Sequence, residues 1–242
     1  MIVYLAGENA EAWKKRNYFD FNRLASFHYM KDEVKLIHKF NRFILDSGAF
    51  TFMTSMKGKK LDWDKYVIEY GIFVKQHDIK YFFELDIDAL VGIKEVDRLR
   101  DLLEKVAGRK CIPVWHRSRG LDYWKKMIID YDYVAIGGIV TREIKRTEYD
   151  IFTVLLRMAK EKNCKVHGLG FTNLKGMEKY KFYSVDSTSW LSGNRFGGVY
   201  VFNGRTMEKH NKKNGQRVIT NATAIHNFEQ WVKFSNYAEK NL

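Results

Sequence analysis

The stretch Tyr183-Ser-Val-Asp-Ser-Thr-Ser-Trp-Leu-Ser-Gly-Asn-Arg-Phe-Gly197 contains the clearest transition from strand to loop in this chain. A mainly apolar run over residues 182–185 ends at Asp186, and small polar residues, glycines and an arginine follow it. The stretch Phe43-Ile-Leu-Asp-Ser-Gly-Ala-Phe50 has the same design, with Asp46 at the end of the run. We therefore expect two buried strands, each of which carries a carboxylate to the start of a loop.

Similar apolar runs recur along the chain and are separated by stretches with helical periodicity. The runs cover residues 2–6, 43–45, 81–85, 111–115, 133–136, 165–169 and 182–185, and the helical stretches cover residues 63–77, 94–107, 122–130 and 148–162. Strands that alternate with helices indicate βα units and a parallel sheet. Seven units, with an eighth that the pattern does not place, favour an α/β fold of the (β/α)8 TIM-barrel type over an open sheet.

The remaining sequence predicts how this barrel is completed. Residues 197–206 read as a hairpin strand that ends at an Asn-Gly turn, and a final amphipathic helix begins near Ala222. Pro113 weakens the prediction of a strand over residues 111–115, because proline has no N–H for the ladder. We expect one domain over residues 1–242, without a zinc subdomain.

Composition narrows the class of protein. The chain has 242 residues, of which 45% are hydrophobic and 29% are charged, and it has no run of 18 apolar residues. We therefore expect neither a membrane span nor a membrane partner. The first residues, Met-Ile-Val-Tyr-Leu-Ala-Gly, resemble a core strand more than a secretory leader. Cys111 and Cys164 form no disulfide framework and no metal-binding spacing, so a reducing, cytoplasmic location is expected.

The formal net charge of +13 favours a polyanionic partner, and nucleic acid is the first candidate. The alternative is a generally basic protein with a solvated cationic face. Basic residues concentrate in predicted loops, among them residues 57–60 and 209–213. The cations predicted to contact nucleic acid are Arg117, Arg195, Arg205 and Lys209.

Polar residues or glycines follow six successive predicted strands, and in a barrel these groups meet at the C-terminal mouth. The groups begin at Asp46, Asp86, Trp115, Gly137, Gly168 and Asp186. Asp46 and Asp186 together suit a retaining exchange at a sugar carbon, because one carboxylate can attack while the other moves protons. The alternative for both is a helix N-cap.

The other groups at the mouth suit recognition of a flat base. Asp86 can accept hydrogen bonds from a purine N1–H and an exocyclic amine, although a capped loop or a metal site formed with Glu84 and Asp88 is also possible. Trp115 and His116 can stack on a base or bond to it; the alternative is a packing tryptophan and a structural histidine. Glycines at these positions allow close approach of a ligand, but barrel loops need glycine in any case. These glycines are Gly137, Gly138, Gly168 and Gly170. His167 is interpreted as structural.

Taken in order, these motifs resemble the tRNA-guanine transglycosylase superfamily over nearly the whole chain. Leu45-Asp-Ser-Gly48 resembles the family's acid/base turn, and Phe83-Glu-Leu-Asp86 falls where the family recognises its base. Further motifs resemble the family's glycine loop, a strand end, the nucleophile segment and a late helix start. These are Ala135-Ile-Gly-Gly-Ile-Val-Thr-Arg-Glu143, Val166-His-Gly-Leu-Gly170, Val185-Asp186 with Ser192-Gly-Asn-Arg195, and Thr223-Ala-Ile-His-Asn227.

The resemblance implies that Asp186 is the nucleophile, that Asp46 is the acid/base, and that Ser47 and Gly48 lie at the base pocket. Val114-Trp-His116 replaces the family's Val-Gln-Gly, so the base contacts differ. The family's zinc cysteines are absent and only His226 matches its ligands, so we expect no zinc and no other cofactor.

A compact chain without zinc looks most like the phage-type enzymes that insert 7-deazaguanine bases into DNA. The resemblance thus implies a pentosyltransferase that replaces guanine in DNA with a preQ0-like 7-deazaguanine base, in the host cytoplasm if the gene is viral. One alternative is an enzyme of the same type that acts on tRNA. Others are a nucleoside or glycoside hydrolase that uses the same carboxylates, and a non-catalytic nucleic-acid-binding barrel.

Overall fold

The computed structural model describes residues 1–30, 34–48, 61–192, 197–211 and 219–242. Its central feature is a seven-stranded sheet in which every pairing is parallel, with the strand order β3-β2-β1-β7-β6-β5-β4. The strands are β1 (Ile2–Ala6), β2 (Asn22–Ser26), β3 (Arg42–Asp46), β4 (Val114–Trp115), β5 (Tyr133–Ile136), β6 (Lys165–Gly168) and β7 (Ser184–Ser187). The chain therefore has an α/β fold built on a parallel sheet.

The sheet curls, because residues from its two edges share one core. Ile44 of β3 packs in the same buried cluster as Val114 of β4 and Ala135 of β5, although β3 and β4 are opposite edges of the sheet. Tyr4 of β1 and Phe83 belong to this cluster as well. The curled sheet thus forms a half-barrel whose inner face is filled by side chains.

The predicted strand over residues 81–85 is present only as two isolated bridges. Leu45 donates its N–H to the Tyr81 carbonyl at 3.0 Å, and Glu84 donates its N–H to the Ile112 carbonyl at 3.0 Å. The predicted run 111–115 is a strand only at Val114–Trp115. Proline at 113 has no N–H to donate, which shortens this strand.

The strand that the sequence pattern misses is β2. Its sequence, Asn-Arg-Leu-Ala-Ser, has no apolar run, yet its first four residues are buried. Arg23 is fully buried, donates to the carbonyls of Leu5 at 3.4 Å and Gly7 at 2.5 Å, and forms an ion pair with Glu8. A buried guanidinium is tolerated where carbonyls and a carboxylate receive its hydrogens.

The predicted helices are confirmed to within three residues at each end. The helices are α1 (Phe27–Met30), α2 (Trp63–Gln76), α3 (Asp88–Val91), α4 (Ile93–Ala107), α5 (Gly120–Asp130), α6 (Ile151–Glu161), α7 (Leu174–Lys179) and α8 (Thr220–Asn241). In α4 the buried residues Val96, Leu99 and Leu103 recur at helical spacing, and the helix ends at Gly108 in the left-handed region. No helix in the described part of the chain has the length and apolar character needed to cross a membrane.

A hairpin and α8 complete the fold, as the sequence predicts. Strands β8 (Gly198–Phe202) and β9 (Met207–Asn211) pair antiparallel around a turn that contains Gly204 at a φ of +94°. The fully buried Asn227 of α8 accepts the Tyr200 N–H at 2.8 Å and donates to the Gly198 carbonyl at 2.9 Å. Asn227 therefore attaches the hairpin to α8 by satisfying two backbone groups of β8.

We predict that Asn227→Leu lowers the free energy of unfolding by about 2–4 kcal/mol, because two buried backbone groups of β8 lose their partner. Urea unfolding followed by circular dichroism measures this loss. The control is Gln230→Leu, which removes a single bond of 2.9 Å to the half-buried Phe202 N–H and should cost about 1 kcal/mol. Equal costs for the two variants would contradict the role assigned to Asn227.

Candidate active site

Asp186 lies at the C-terminal end of β7, next to Tyr4 of β1, and is 8% exposed. Its Oδ1 accepts the Gly170 N–H at 2.6 Å and lies 3.2 Å from Nε2 of His167. Both donors bind the same oxygen, so Oδ2 has no hydrogen-bond partner among the described residues. The carboxylate is thus held firmly on one side, while its other oxygen is available for a ligand.

A buried chain of hydroxyl groups continues from His167, and the direction of its hydrogen bonds follows from the tautomer of that ring. The His167 Nδ1 lies 2.6 Å from the Ser184 hydroxyl, which lies 2.5 Å from the Tyr133 hydroxyl. When neutral His167 donates from Nε2 to an ionised Asp186, its Nδ1 must accept, so Ser184 donates to it and Tyr133 donates to Ser184. Burial raises the pKa of Tyr133 well above its usual value, so the phenol keeps its proton.

His167 was expected to be structural, and the structure places it against the candidate nucleophile. Its ring is fully buried and packs against the rings of Tyr4 and Phe83. The sequence signal that could have found it is the alternation of a strand, because His167 directly precedes Gly168 at the end of a buried strand. In the structure, His167 pairs with Ala135 and Ser184 of the neighbouring parallel strands and shares their inward face.

Asp46 lies at the C-terminal end of β3, where it accepts the Gly48 N–H at 2.9 Å. Desolvation is the largest effect on its carboxyl, and together with the negative charges of Asp186 and Asp86 it outweighs this hydrogen bond and raises the pKa of Asp46 to about 6. The three carboxylates therefore lie close enough to interact. A pKa near 6 suits a group that gives and takes protons near neutral pH.

Asp86 belongs to a second cluster, in which His116 lies between two carboxylates. His116 Nε2 is 2.7 Å from Asp86 and Nδ1 is 2.8 Å from Glu143, which also accepts the Ser118 N–H at 2.9 Å. Burial disfavours a charged ring, but the two hydrogen bonds and the charge of Asp86 outweigh it and raise the pKa of His116 to about 9. His116 is therefore an imidazolium at neutral pH, and both of its N–H groups are engaged.

Arg119 lies behind this cluster and connects three carboxylates. Its side chain is 1% exposed and donates to Glu84 at 2.8 Å and to Asp88 at 3.0 Å, and it approaches Asp86 to 3.9 Å. Ligand atoms of Asp86, Asp88 and His116 lie within 4.8 Å of one another, as a metal site would require. Because a guanidinium and an imidazolium already neutralise these carboxylates, the donor set does not favour a metal ion.

The glycines at the mouth are explained by close approach of side chains of this chain. A Cβ at Gly137 would come within 2.7 Å of the His116 ring, and one at Gly138 would come within 2.8 Å of Glu143. Gly48 and Gly170 have φ values of +77° and +66°, and both donate their N–H to a candidate catalytic carboxylate. Gly168 packs against Phe171 and Phe182. Ser47 is buried, and its carbonyl accepts the Tyr66 hydroxyl at 2.5 Å.

Trp115 is not brought to this site. Its side chain is 2% exposed, packs against Trp124 of α5 and donates to the Gly120 carbonyl at 2.8 Å. Successive residues of a strand point to opposite faces, so Trp115 faces the helices while His116 faces the mouth. The expectation that Trp115 contacts a base is therefore corrected to a packing role.

The described cations among those predicted to bind nucleic acid lie on different elements: Arg117 follows β4, whereas Arg205 and Lys209 belong to the β8–β9 hairpin. Arg117 is half exposed and paired with Glu148 at 2.5 Å, and Arg205, on the hairpin turn, lies 3.5 Å from Glu178. The Lys209 ammonium lies 6.0 Å from the centre of the Tyr200 ring. Arg195 and residues 57–60 lie outside the described residues. The two cations whose partners are known are thus already neutralised.

The residues considered for zinc are separate from one another. Cys111 contacts Glu104 and Cys164 is buried elsewhere, and desolvation raises the pKa of Cys164 to about 12. His226 bonds through Nε2 to the Tyr200 carbonyl at 2.9 Å, so it helps to attach the hairpin to α8. The expected absence of zinc stays a prediction that elemental analysis can check.

No protein-family model matches the chain, and no curated protein matches it. The site is therefore interpreted from its geometry and from the resemblance of its motifs.

We predict that the native state loses stability, on the order of 3 kcal/mol, between pH 6.5 and about pH 9 because of His116. Folding raises its pKa, so its contribution is complete below the unfolded value and is lost as pH rises through the folded one. Urea unfolding across this range, with NMR titration of the ring, measures the effect. His116→Gln should remove this pH dependence of the free energy of unfolding, whereas the exposed control His38→Gln should retain it. If the free energy of unfolding of His116→Gln still falls with pH as in the wild-type protein, the assignment is wrong.

Proposed function

We propose that the chain is a base-exchange transglycosylase that replaces guanine in a nucleic acid with a 7-deazaguanine base. The observation that carries this proposal is the electrostatic interaction of Asp46, at the end of β3, with Asp186 near the end of β7 and with Asp86, which follows the bridges at Phe82 and Phe83; the pKa of Asp46 is about 6. The substrate class comes from the resemblance of the motifs to the tRNA-guanine transglycosylase superfamily, and the lack of zinc cysteines favours DNA over tRNA.

In the first half of the proposed reaction, Oδ2 of Asp186 attacks C1′ of the target nucleotide. A bond forms between this oxygen and C1′, the bond from C1′ to N9 of guanine breaks, and its electron pair goes to the base. Protonated Asp46 supplies the proton that the leaving guanine needs. The Gly170 N–H and His167 position the attacking carboxylate through Oδ1.

In the second half, the ionised Asp46 takes the N9 proton of the incoming 7-deazaguanine. Nitrogen N9 attacks C1′, and the ester bond to Asp186 breaks, so the sugar regains its original configuration. The target nucleotide must leave any duplex to reach the site. Both carboxylates return to their starting protonation states.

Asp86 is proposed to recognise the base. His116 engages its Oδ1, and Oδ2 can accept from the N1–H or exocyclic amine of a guanine-like base. A cavity of about 710 Å³ borders Asp86, His116, Ser118 and Glu143, which is within the usual range for small-molecule sites. In this proposal His116 is a positioning residue, because both of its N–H groups are engaged.

We also propose that the curled sheet closes into a (β/α)8 barrel. Residues 81–84 would take the position between β3 and β4, since their backbone bonds reach Leu45 on one side and Ile112 on the other. This arrangement would supply eight strand positions in one parallel order. It would also place Asp46, Asp86 and Asp186 around a common mouth, as such barrels place their catalytic residues.

We predict that Asp186→Asn lowers base exchange at least about 10³-fold and abolishes a covalent adduct between protein and nucleic acid, because the nucleophile is lost. Labelled guanine or 7-deazaguanine, incubated with single-stranded DNA or tRNA, measures exchange, and denaturing gels detect the adduct. Incorporation into tRNA alone would reassign the substrate. Release of guanine without incorporation would favour a hydrolase, and an adduct that persists in Asp186→Asn would exclude Asp186 as the nucleophile.

We predict that adduct formation by the wild-type protein falls about tenfold per pH unit above pH 6, because the first half-reaction needs protonated Asp46. Single-turnover rates of adduct formation, measured as a function of pH, show this fall as the alkaline limb of the pH–rate profile. Asp46→Asn should react about 10²–10⁴-fold more slowly and lose the limb. A limb retained in Asp46→Asn would assign the proton transfer to another group.

A further inference from the structure

A second cavity lies beside Asp186 and is not used by the proposed chemistry. It has a volume of about 470 Å³ and lies between the loops that follow β5, β6 and β7. Gly170 lines it, and the N–H of this residue donates to Asp186 at 2.6 Å. Thr188, two residues beyond Asp186, lines it as well. The groove is therefore lined by a residue that bonds directly to the candidate nucleophile, although Asp186 itself does not line it.

One wall of this groove is cationic. Arg142, Lys145 and Arg146 line it and are exposed. None of their charged nitrogens lies within 4.0 Å of a carboxylate oxygen of another described residue, although the charge of Lys145 contributes to lowering the pKa of Glu148. The described residues that line the groove include no aspartate or glutamate. The cavity at Asp86, by contrast, is lined by three carboxylates. The groove beside Asp186 is thus suited to an anion.

The part of the groove formed by the loops that follow β6 and β7 supplies neutral hydrogen-bond donors. Its lining residues carry hydroxyl or amide groups, namely Thr172, Asn173, Thr188 and Ser189. The Asn173 oxygen accepts the Gly176 N–H at 3.0 Å, which leaves the two hydrogens of its amide nitrogen to donate. Cations together with hydroxyl and amide donors are the groups that proteins use to hold phosphate oxygens.

The cationic loop is held in place. The Ile144 N–H donates to the Gly138 carbonyl at 3.1 Å, and Val140 packs on Gly170 so closely that a Cβ there would lie 2.3 Å from it. Arg142 has a φ of +62°, in the left-handed region that a residue with a side chain seldom occupies. Surrounding contacts must maintain this conformation, which keeps the cations beside the end of β6.

We propose that this groove binds backbone phosphodiester groups of the nucleic acid, next to the nucleotide whose C1′ meets Asp186. The position of the target nucleotide rests on the proposed function, whereas the preference for phosphate rests on the groove itself. The net charge of +13 favours a polymer over a single phosphate. The sequence analysis predicted nucleic-acid contacts for other cations and missed these three, because the order of residues along the chain does not show that they lie near Asp186.

The test compares two triple variants of the full chain in binding a fluorescent single-stranded DNA oligonucleotide across a salt series. The first is Arg142→Gln, Lys145→Gln and Arg146→Gln. The matched control is Arg157→Gln, Lys160→Gln and Lys181→Gln, exposed cations at a cavity of about 520 Å³ beside the starts of β6 and β7. Each phosphate contact contributes about 0.7 to the log–log salt slope on single strands. The first variant should lower the slope by about 2, and the control should leave it unchanged.

An unchanged slope in the first variant, or an equal fall in the control, would overturn the proposal. Guanosine monophosphate is tested as a competitor of the oligonucleotide. If it displaces the oligonucleotide from the wild-type protein but not from the first variant, the groove binds a terminal phosphate, and the proposal is overturned as well. If the triple variant fails to fold, Lys145→Gln with Arg146→Gln leaves the strained Arg142 intact and should lower the slope by about 1.4. A lowered slope without any base exchange by the wild-type protein would retain the phosphate groove and reject the transglycosylase.

Discussion

The arrangement of residues at the mouth of the sheet depends on the ion pairs and the hydrogen bond of the fully buried Glu84 carboxylate. This carboxylate accepts from Arg100 at 2.9 Å, from Arg119 at 2.8 Å and from the Val114 N–H at 2.8 Å. These bonds join residues 81–84, strand β4 and helix α4 at one point. A buried charge is costly unless it is fully paired, and removal of one partner of such a pair typically costs about 3–5 kcal/mol. The pairing therefore holds residues 81–84 against β4 and α4.

The same pairing organises the candidate base pocket. Arg119, held by Glu84, also binds Asp88 and lies near Asp86. Asp86 in turn holds His116, whose other nitrogen contacts Glu143. Continuous contacts therefore connect the buried ion pair of Glu84 and Arg119 with the side chains that border the cavity. The buried core and the lining of this cavity thus share one network of alternating charges, in which each carboxylate has a defined partner.

The three carboxylates at the mouth differ because their partners differ. Asp86 faces an imidazolium, and Asp186 accepts from a backbone N–H and lies beside a histidine. Asp46 accepts from the Gly48 N–H, and burial together with the charges of Asp186 and Asp86 raises its pKa to about 6. Environments that separate the protonation of neighbouring carboxyl groups assign them different chemical roles. In the proposed reaction, the proton carrier is Asp46, the carboxyl whose pKa is raised to about 6.

Sequence alone determined the α/β class, the five longest helices of the described chain, the hairpin with its turn, and the two aspartates at strand ends, because periodicity and turn chemistry are local properties. It missed β2, since the burial of Arg23 depends on carbonyls of a neighbouring strand and on Glu8. It also assigned Trp115 to the mouth. Successive strand residues point to opposite faces, so Trp115 packs against the helices while the next residue, His116, faces the mouth. Only the tertiary structure decided that His167 supports Asp186, that His116 is clamped as a cation and that three loop cations line a groove near the nucleophile. These depend on distances between residues far apart in the chain, and a linear pattern does not contain such distances.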